Sequence, residues 1–296
     1  MPELPEVETV VRGLRMLLPG RSIVGVRLGK TDFIDDPASL EEGLPGSRIA
    51  SVERLGKFIR ILLDPQQSAA QKEGRRNLIV HLGMTGRLAV RPAGEPFPPH
   101  THGFFELDDG RELRYTDPRR FGRIVLVPES GIAAFGGRLG DEPLEISARE
   151  FQRRLGGRRA RIKALLLDQS VLRGVGNIYA DESLWRAGIH PARLAAQLSR
   201  TDLARLRQAI RYVLRWAIRL GGSSISDFVD AEGNPGEFQI RHRAYHRHGK
   251  PCFRCGTTIR QMIVAGRSSH FCPKCQPPPH GKRGGARAAA HARRAA

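Results

Sequence analysis

Behind Met1 the chain opens with Pro2 and Glu3. Removal of Met1 leaves a proline whose ring nitrogen is a free secondary amine, with a carboxylate as its neighbour. A terminal amine titrates near pH ~8, well below a lysine, so a usable fraction is neutral and nucleophilic at neutral pH. Such an amine can attack an electrophilic carbon and form an iminium, the Schiff-base type of covalent catalysis. Many chains begin Met-Pro and use it for nothing. Here the residues that follow hold the terminus in place. Val7, Val10, Val11, Leu14, Leu17 and Leu18 recur at helical spacing over residues 5–18. Pro5 suits the first turn of that helix, Glu6 and Glu8 complement its positive end, and Pro19-Gly20 stops it. The amine is thus expected at the electropositive end of a packed helix, which favours its neutral form.

Three other groups have chemistry in their spacing. Cys252-x2-Cys255-x16-Cys272-x2-Cys275 uses all four cysteines of the chain, and this pattern fits a tetrahedral Zn²⁺ site. Two disulfides are the alternative, disfavoured in a cytosolic enzyme. Four thiolates leave no position for water, so the single Zn²⁺ expected here is structural. It would fix a hairpin carrying Arg260, Arg267 and Lys274. Gly174-Val175-Gly176-Asn177 opens a helix, where free backbone N–H groups could seat a phosphate, although a plain capping turn would look the same. His81-Leu82-Gly83-Met84-Thr85-Gly86 and Asp117-Pro118-Arg119-Arg120-Phe121-Gly122 read as turns between strands. Met84 and Phe121 are core residues by type. Beside arginines at a turn, they could instead be wedges for a base stack.

The elements that must carry these groups change character midway. Segments 22–28, 49–52, 58–63, 77–90, 104–107 and 123–127 are β-like, broken by Pro, Gly and Asp clusters, and Asp109-Gly110 marks a tight hairpin. Short strands at this spacing point to a β-sandwich or barrel. Residues 66–76 and 91–100 read as surface loops. From Ser147 the pattern is helical. Ser147 and Glu150 form a capping-box pair, and helices follow at 161–167 and 177–187. A longer helix carries Leu203, Leu206, Ile210, Val213, Leu214 and Ala217 on one stripe and ends at Gly221-Gly222. A Gly/Ser-rich loop, 221–236, leads into the cysteine-bearing module. The Pro-, Ala- and Arg-rich tail reads as disordered.

The net charge is +19, and it is unevenly spread. Residues 1–150 hold 21 Lys and Arg against 22 Asp and Glu, whereas residues 151–296 hold 28 against 8. The second half therefore supplies the long-range attraction to a polyanion, and nucleic acid is the expected partner. No apolar run approaches ~18 residues, so no membrane span is expected, and the acidic start does not read as a signal peptide.

The opening Pro2-Glu3-Leu4-Pro5-Glu6-Val7-Glu8 resembles the bacterial formamidopyrimidine-DNA glycosylase family, which excises oxidised purines. So do Gly56-Lys57, the HLGMTG and DPRRFG turns, GVGNIYADE from Gly174 to Glu182, and the cysteine quartet. The motifs stand in the family's order from Pro2 to Gln276, leaving only the tail outside. The resemblance implies an α+β multidomain chain. It divides into an N-terminal β-sandwich with a leading helix (1–135), a helix-two-turns-helix domain with a lesion loop (136–236; loop 221–236), a zinc-finger hairpin (237–276) and a basic tail (277–296).

It also implies roles. Pro2 is the nucleophile on the sugar C1′, Glu3 the acid/base partner in ring opening, and Lys57 a catalytic and phosphate-contacting lysine. Met84, Arg119 and Phe121 match the residues that fill the gap left by the flipped base, with Arg119 facing the opposite cytosine. Asn177 and Arg267 match phosphate ligands, joined by Lys163, His81 and Tyr245. The loop 221–236 resembles the one that closes over the flipped purine. The implied partner is double-stranded DNA containing oxidised purines or abasic sites, met by a monomer in the nucleoid-associated cytoplasm, with no membrane involved. Two other readings stay open. The endonuclease-VIII branch prefers oxidised pyrimidines, but has glycine where Leu4 stands and lacks the Met/Arg/Phe trio. A non-catalytic zinc-ribbon DNA-binding protein would explain charge and cysteines but not Pro2-Glu3 on an anchored helix.

Overall fold

The structure is a computed structural model that describes residues 1–65, 74–225 and 228–279. Two four-stranded antiparallel sheets build the first half. One has the order β2 (Arg48–Leu55), β3 (Phe58–Asp64), β4 (Arg76–His81), β8 (Arg123–Pro128). The other has the order β1 (Ile23–Leu28), β6 (Thr101–Leu107), β7 (Arg111–Thr116), β5 (Arg87–Pro92). In β3 every second residue (Ile59, Ile61, Leu63) is buried, the period-2 pattern of a strand with one face on a core. Those side chains meet Leu88, Phe105 and Leu113 of the other sheet in one apolar layer. The result is a β-sandwich.

Sequence and structure differ where one apolar run serves two sheets. Residues 77–90 form β4 in one sheet and β5 in the other, divided by the HLGMTG turn. Gly83 takes a positive φ there (+62°), and a Cβ on Gly86 would lie 2.3 Å from the Leu82 carbonyl oxygen, so the chain turns this corner only through glycine. Two short helices carried no apolar stripe to reveal them: α2 (Pro37–Gly43), capped by Asp36, and α3 (Glu129–Gly137), which buries no residue. The expected capping box at Ser147 forms by half. Ser147 accepts from the Glu150 N–H, but the Glu150 carboxylate turns to Arg153 and Arg154 instead.

The second half packs α4 (Ala148–Leu155), α5 (Ile162–Leu167), α6 (Asn177–Ala187) and α7 (Arg200–Arg219) around a separate core that includes Tyr179, Leu206 and Phe238. The first helix, α1 (Leu4–Leu17), joins the two: Val7, Val10, Val11 and Leu14 enter the sandwich core, while Leu4 enters the helical one. Arg54 on β2 adds an ionic clamp. It donates to Glu8 at 3.0 Å and forks onto both oxygens of Glu142 at 3.1 and 3.0 Å. A hairpin, β9 (Arg260–Val264) and β10 (Arg267–Phe271), completes the chain, turning through Ala265 and Gly266 at positive φ (+50° and +69°), as a tight hairpin turn requires.

Among the described residues no helix is long and apolar enough to cross a membrane. Of the expected surface loops, 91–100 begins inside β5, which runs to Pro92, and is exposed and irregular over 93–100, whereas 66–73 and most of the tail (280–296) lie outside the described residues.

Candidate active site

Glu3 is the N-cap of α1, in extended backbone, and is 3% exposed. Its carboxylate reaches across to the start of α6 and accepts from the N–H groups of Gly176 (2.9 Å), Ile178 (2.9 Å) and Tyr179 (3.3 Å). This corrects one expectation. Of the GVGN turn, read as a phosphate seat, the Gly176 N–H is filled by this internal carboxylate and the Gly174 N–H by Gln169 Oε1 (2.9 Å). The glycines are needed for that approach. A Cβ on Gly176 would lie 2.4 Å from the Glu3 carboxyl carbon, and one on Gly174 (φ +89°) would lie 2.8 Å from Leu4 Cβ. Burial raises the Glu3 pKa, opposed by Lys57, by the Ile178 and Tyr179 N–H groups and by the chain's terminal ammonium.

Lys57 stands at the tip of the β2–β3 hairpin, after Gly56 at φ +64°, where the tip abuts Arg173 and Gly174. The side chain is buried, and that burial lowers its pKa, as does Arg267, while Glu3 and Glu6 pull it back up. His81, at the end of β4, is pushed down to about 4 by burial, with Lys57 and the terminal ammonium acting in the same sense. It is therefore neutral at pH 7, its Nδ1 accepting from the Gly83 N–H at 3.3 Å. Pro2 is buried beside these groups. Thus the chain terminus, Glu3, Lys57, His81 and Arg267, scattered over four elements, share one electrostatic neighbourhood.

Glu6 is a member whose sequence position suggested only a helix-dipole partner. It accepts from the Glu3 N–H (2.8 Å), the Tyr179 hydroxyl (2.5 Å) and the Ser223 N–H (2.7 Å). Burial and the adjacent Glu3 push its carboxyl up to about 7. It ties α1 to α6 and to the first residues of the 221–236 loop. Residues 226 and 227 of that loop lie outside the described residues. Its far end is strapped to the sandwich by Arg91, which donates to the carbonyls of Ala231 (3.3 Å) and Glu232 (3.0 Å).

Met84 and Phe121 are 44% and 54% exposed, so neither is a core residue. The two turns that carry them lean on each other, since a Cβ on Gly83 would fall 2.5 Å from the Phe121 backbone. The exposed Arg119 guanidinium lies 4.4 Å from the centre of the Phe121 ring. Asp117 organises this projection. Fully buried, it accepts from Thr85 Oγ1 (2.6 Å), the Tyr115 hydroxyl (3.1 Å) and the N–H groups of Gly122 (2.9 Å) and Arg119 (3.3 Å). The opening Asp of DPRRFG was the available signal, as a side chain that bonds its own turn.

The hairpin brings Arg267 to the surface facing this neighbourhood. Asn177, the first residue of α6, donates to Ser268 Oγ at 3.4 Å, and Tyr245 is placed close enough for Glu3, after burial, to raise its pKa. Lys163 is a second correction. It is 0% exposed, bonded to Asp181 Oδ1 (2.6 Å) and to the Ser268 carbonyl (2.7 Å). Asp181 also holds His270, through its N–H (2.8 Å) and Nδ1 (3.0 Å). A lysine with both its partners and no access to solvent cannot meet a phosphate; it locks the hairpin onto α5 and α6.

The four cysteines form no disulfide, and their Sγ atoms all lie within 4.8 Å of one another. Tetrahedral Zn–S bonds of ~2.3 Å place sulfurs ~3.8 Å apart. The separations here, 4.0 Å for Cys252–Cys275 and 3.4 Å for Cys255–Cys272, fit that cage. Trp185 Nε1 and the Arg254 N–H both point at Cys252 Sγ (3.4 Å each), as donors to a thiolate do. A single structural Zn²⁺ is held by this set.

Comparison with known proteins agrees with this arrangement. The family model "Formamidopyrimidine-DNA glycosylase N-terminal domain" matches residues 1–124, its H2TH domain 139–229, and "Zinc finger found in FPG and IleRS" 249–278. The formamidopyrimidine-DNA glycosylase of Herpetosiphon aurantiacus is 48% identical over 93% of this chain and its own full length, and that of Solibacter usitatus 47% over 93% and 99%. Among solved structures, a Lactococcus lactis FPG mutant bound to Fapy-dG-containing DNA superposes with a TM-score of 0.84 at 32% identity, covering 94% of this chain and all of that one. MutM from Thermus thermophilus does so at 0.79 and 41% identity, over 93% and 98%. The chain belongs to the formamidopyrimidine-DNA glycosylase family.

Proposed function

We propose that this enzyme excises oxidised purines from double-stranded DNA and cleaves the strand, with Pro2 as its nucleophile once Met1 is removed. A damaged base inside the stack is out of reach, so the nucleotide must be flipped out. Met84 and Phe121, exposed and apolar, fill the vacated stack, and Arg119 addresses the orphaned base. The Pro2 nitrogen lone pair forms the bond to C1′ as the glycosidic bond breaks; the purine leaves with the bonding pair and takes up the proton that the amine sheds. Glu3 protonates the ring oxygen as the sugar opens to an iminium. The iminium acidifies the C2′ proton; its loss expels the 3′ phosphate by β-elimination, and δ-elimination expels the 5′ phosphate. Lys57 and Arg267 supply positive charge to the backbone, with Asn177, Tyr245 and His81 lining the approach.

The observation that carries this reading is the burial of Glu3 on three backbone N–H groups, within the field of both Lys57 and the chain terminus. The cyclic amine is held where acid/base help is fixed in place, the condition for large proximity gains. Borohydride trapping on abasic duplex DNA tests it. Protein lacking Met1 should form a covalent adduct, and protein with a blocked terminus should form none. An adduct from the blocked protein would move the nucleophile elsewhere, to Lys57 first. The same chemistry serves a monomer acting on nucleoid DNA in the cytoplasm.

A further inference from the structure

At the far end of α6 from Glu3 lies a cleft of about 470 Å³ that the reaction does not use. Trp185 stands eight residues beyond Asn177, about 12 Å along the helix axis. Trp185, Tyr212, Trp216 and Phe253 wall the cleft, with Arg186, Arg243 and Arg254 at its rim. The arginines lie on the rings: Arg186 3.4 Å from the centre of Tyr212, Arg243 4.3 Å from Phe253, Arg254 4.5 Å from Trp185. Arg247 adds a fourth such pair, 4.0 Å from Phe253. Pairs of this kind occur about once per 70–80 residues in ordinary structures, so four together are a built feature.

Among the described residues none of these four arginines is paired with a carboxylate. The one carboxylate on the wall, Glu182, is occupied by the backbone N–H groups of Arg243, Ala244 and Tyr245. Arg247 and Arg254 each donate to a backbone carbonyl, of Pro251 (2.9 Å) and Arg186 (3.3 Å), which leaves their charge unneutralised, while Arg186 and Arg243 keep the N–H edge of the stacked guanidinium for a planar anion. The site therefore offers an aromatic pocket for one bulky side chain inside a ring of uncompensated positive charge. Duplex DNA would satisfy the charge but has nothing apolar to fill the pocket, because its bases are stacked. The chain's own last twenty residues carry five Lys and Arg and no acid, so they are repelled.

We propose that this cleft docks an acidic peptide segment of a partner protein, one carrying an aromatic or branched apolar side chain flanked by Asp or Glu. Both tryptophans of the chain line the cleft, so their emission reports occupancy without a label. Titrating the full chain with the synthetic peptide DDFLDD should give a saturable emission change. DDGGDD should bind about 10-fold more weakly or worse, and so should DDFLDD to Arg186→Glu or Tyr212→Ala, two exposed positions. Cleavage of abasic duplex at saturating DNA should be unchanged in both variants. A flat titration overturns the proposal, as does equal binding of the two peptides or by the two variants. Tighter binding of a thymidine dodecamer at the same residues, or displacement of the peptide by duplex, would assign the cleft to nucleic acid and overturn it too.

Discussion

Glu3 and Lys57 are each defined by the other. Burial raises the Glu3 pKa, and Lys57 is the largest influence bringing it back down. Replacing that cation should therefore raise the pKa again. Because Glu3 acts as the proton donor, in Lys57→Met the alkaline limb of the base-excision profile should move to higher pH, measured by single-turnover excision between pH 4 and 9. A limb that stays in place would mean it does not report Glu3. Arg119 is exposed and held beside Phe121, with donors free to meet an orphaned base. Cytosine offers O2 and N3 as acceptors, whereas adenine presents a donor where an acceptor is needed. Leaving one such bond unmade costs about 1–3 kcal/mol. Excision of 8-oxoguanine should thus be faster opposite cytosine than opposite adenine, and Arg119→Ala should shrink that ratio as well as the rate. Met84→Ala, which removes only apolar filling, should slow excision with the ratio kept. Equal wild-type rates opposite all four bases would exclude this role.

At the scale of elements, the site exists only where α1, the β2–β3 hairpin, α6 and the zinc hairpin converge, so the contacts that lock those elements together control it. Arg54 is the clearest of them. It is nearly buried and paired with Glu8 and, through two hydrogen bonds, with Glu142, which also receives Arg173. Removing one partner of a buried ion pair leaves the other charge uncompensated, at about 3–5 kcal/mol. Arg54→Ala should lower the unfolding free energy by roughly that amount in denaturant titration, discounted because Arg173 still meets Glu142. Because the clamp spans the two cores, activity should decline at temperatures where far-UV circular dichroism is still native. Loss of stability below about 1 kcal/mol would show that the clamp is solvated and weak.

Over the whole molecule, charge is separated from chemistry. Residues 1–150, near neutrality, carry Pro2, Glu3, Lys57 and the exposed trio, while residues 151–296 carry all the excess positive charge. Five of those charges lie beyond residue 279. Ending the chain there should weaken binding to undamaged duplex and make the slope of log affinity against log salt shallower by roughly 1 for each phosphate that the tail neutralises, with single-turnover cleavage at saturating DNA preserved. An unchanged slope would mean that the tail does not touch DNA. Much of this was legible along the chain. The helical stripe behind Pro2, the strand alternation and the cysteine spacing are local patterns, and local patterns follow from backbone periodicity and ligand geometry alone. The zinc quartet and the leading helix could therefore be placed from the residues. What the three-dimensional packing decided was which polar groups satisfy one another. The Gly176 N–H of the GVGN turn is free by sequence, yet Glu3 fills it. Lys163 is available by type, yet Asp181 encloses it. Glu6 and Asp117 are surface acids by type, and burial makes them organisers. A charged group's role depends on its desolvation and on partners far away in sequence, 173 residues away for Glu3 and Gly176, and no local spacing encodes that distance.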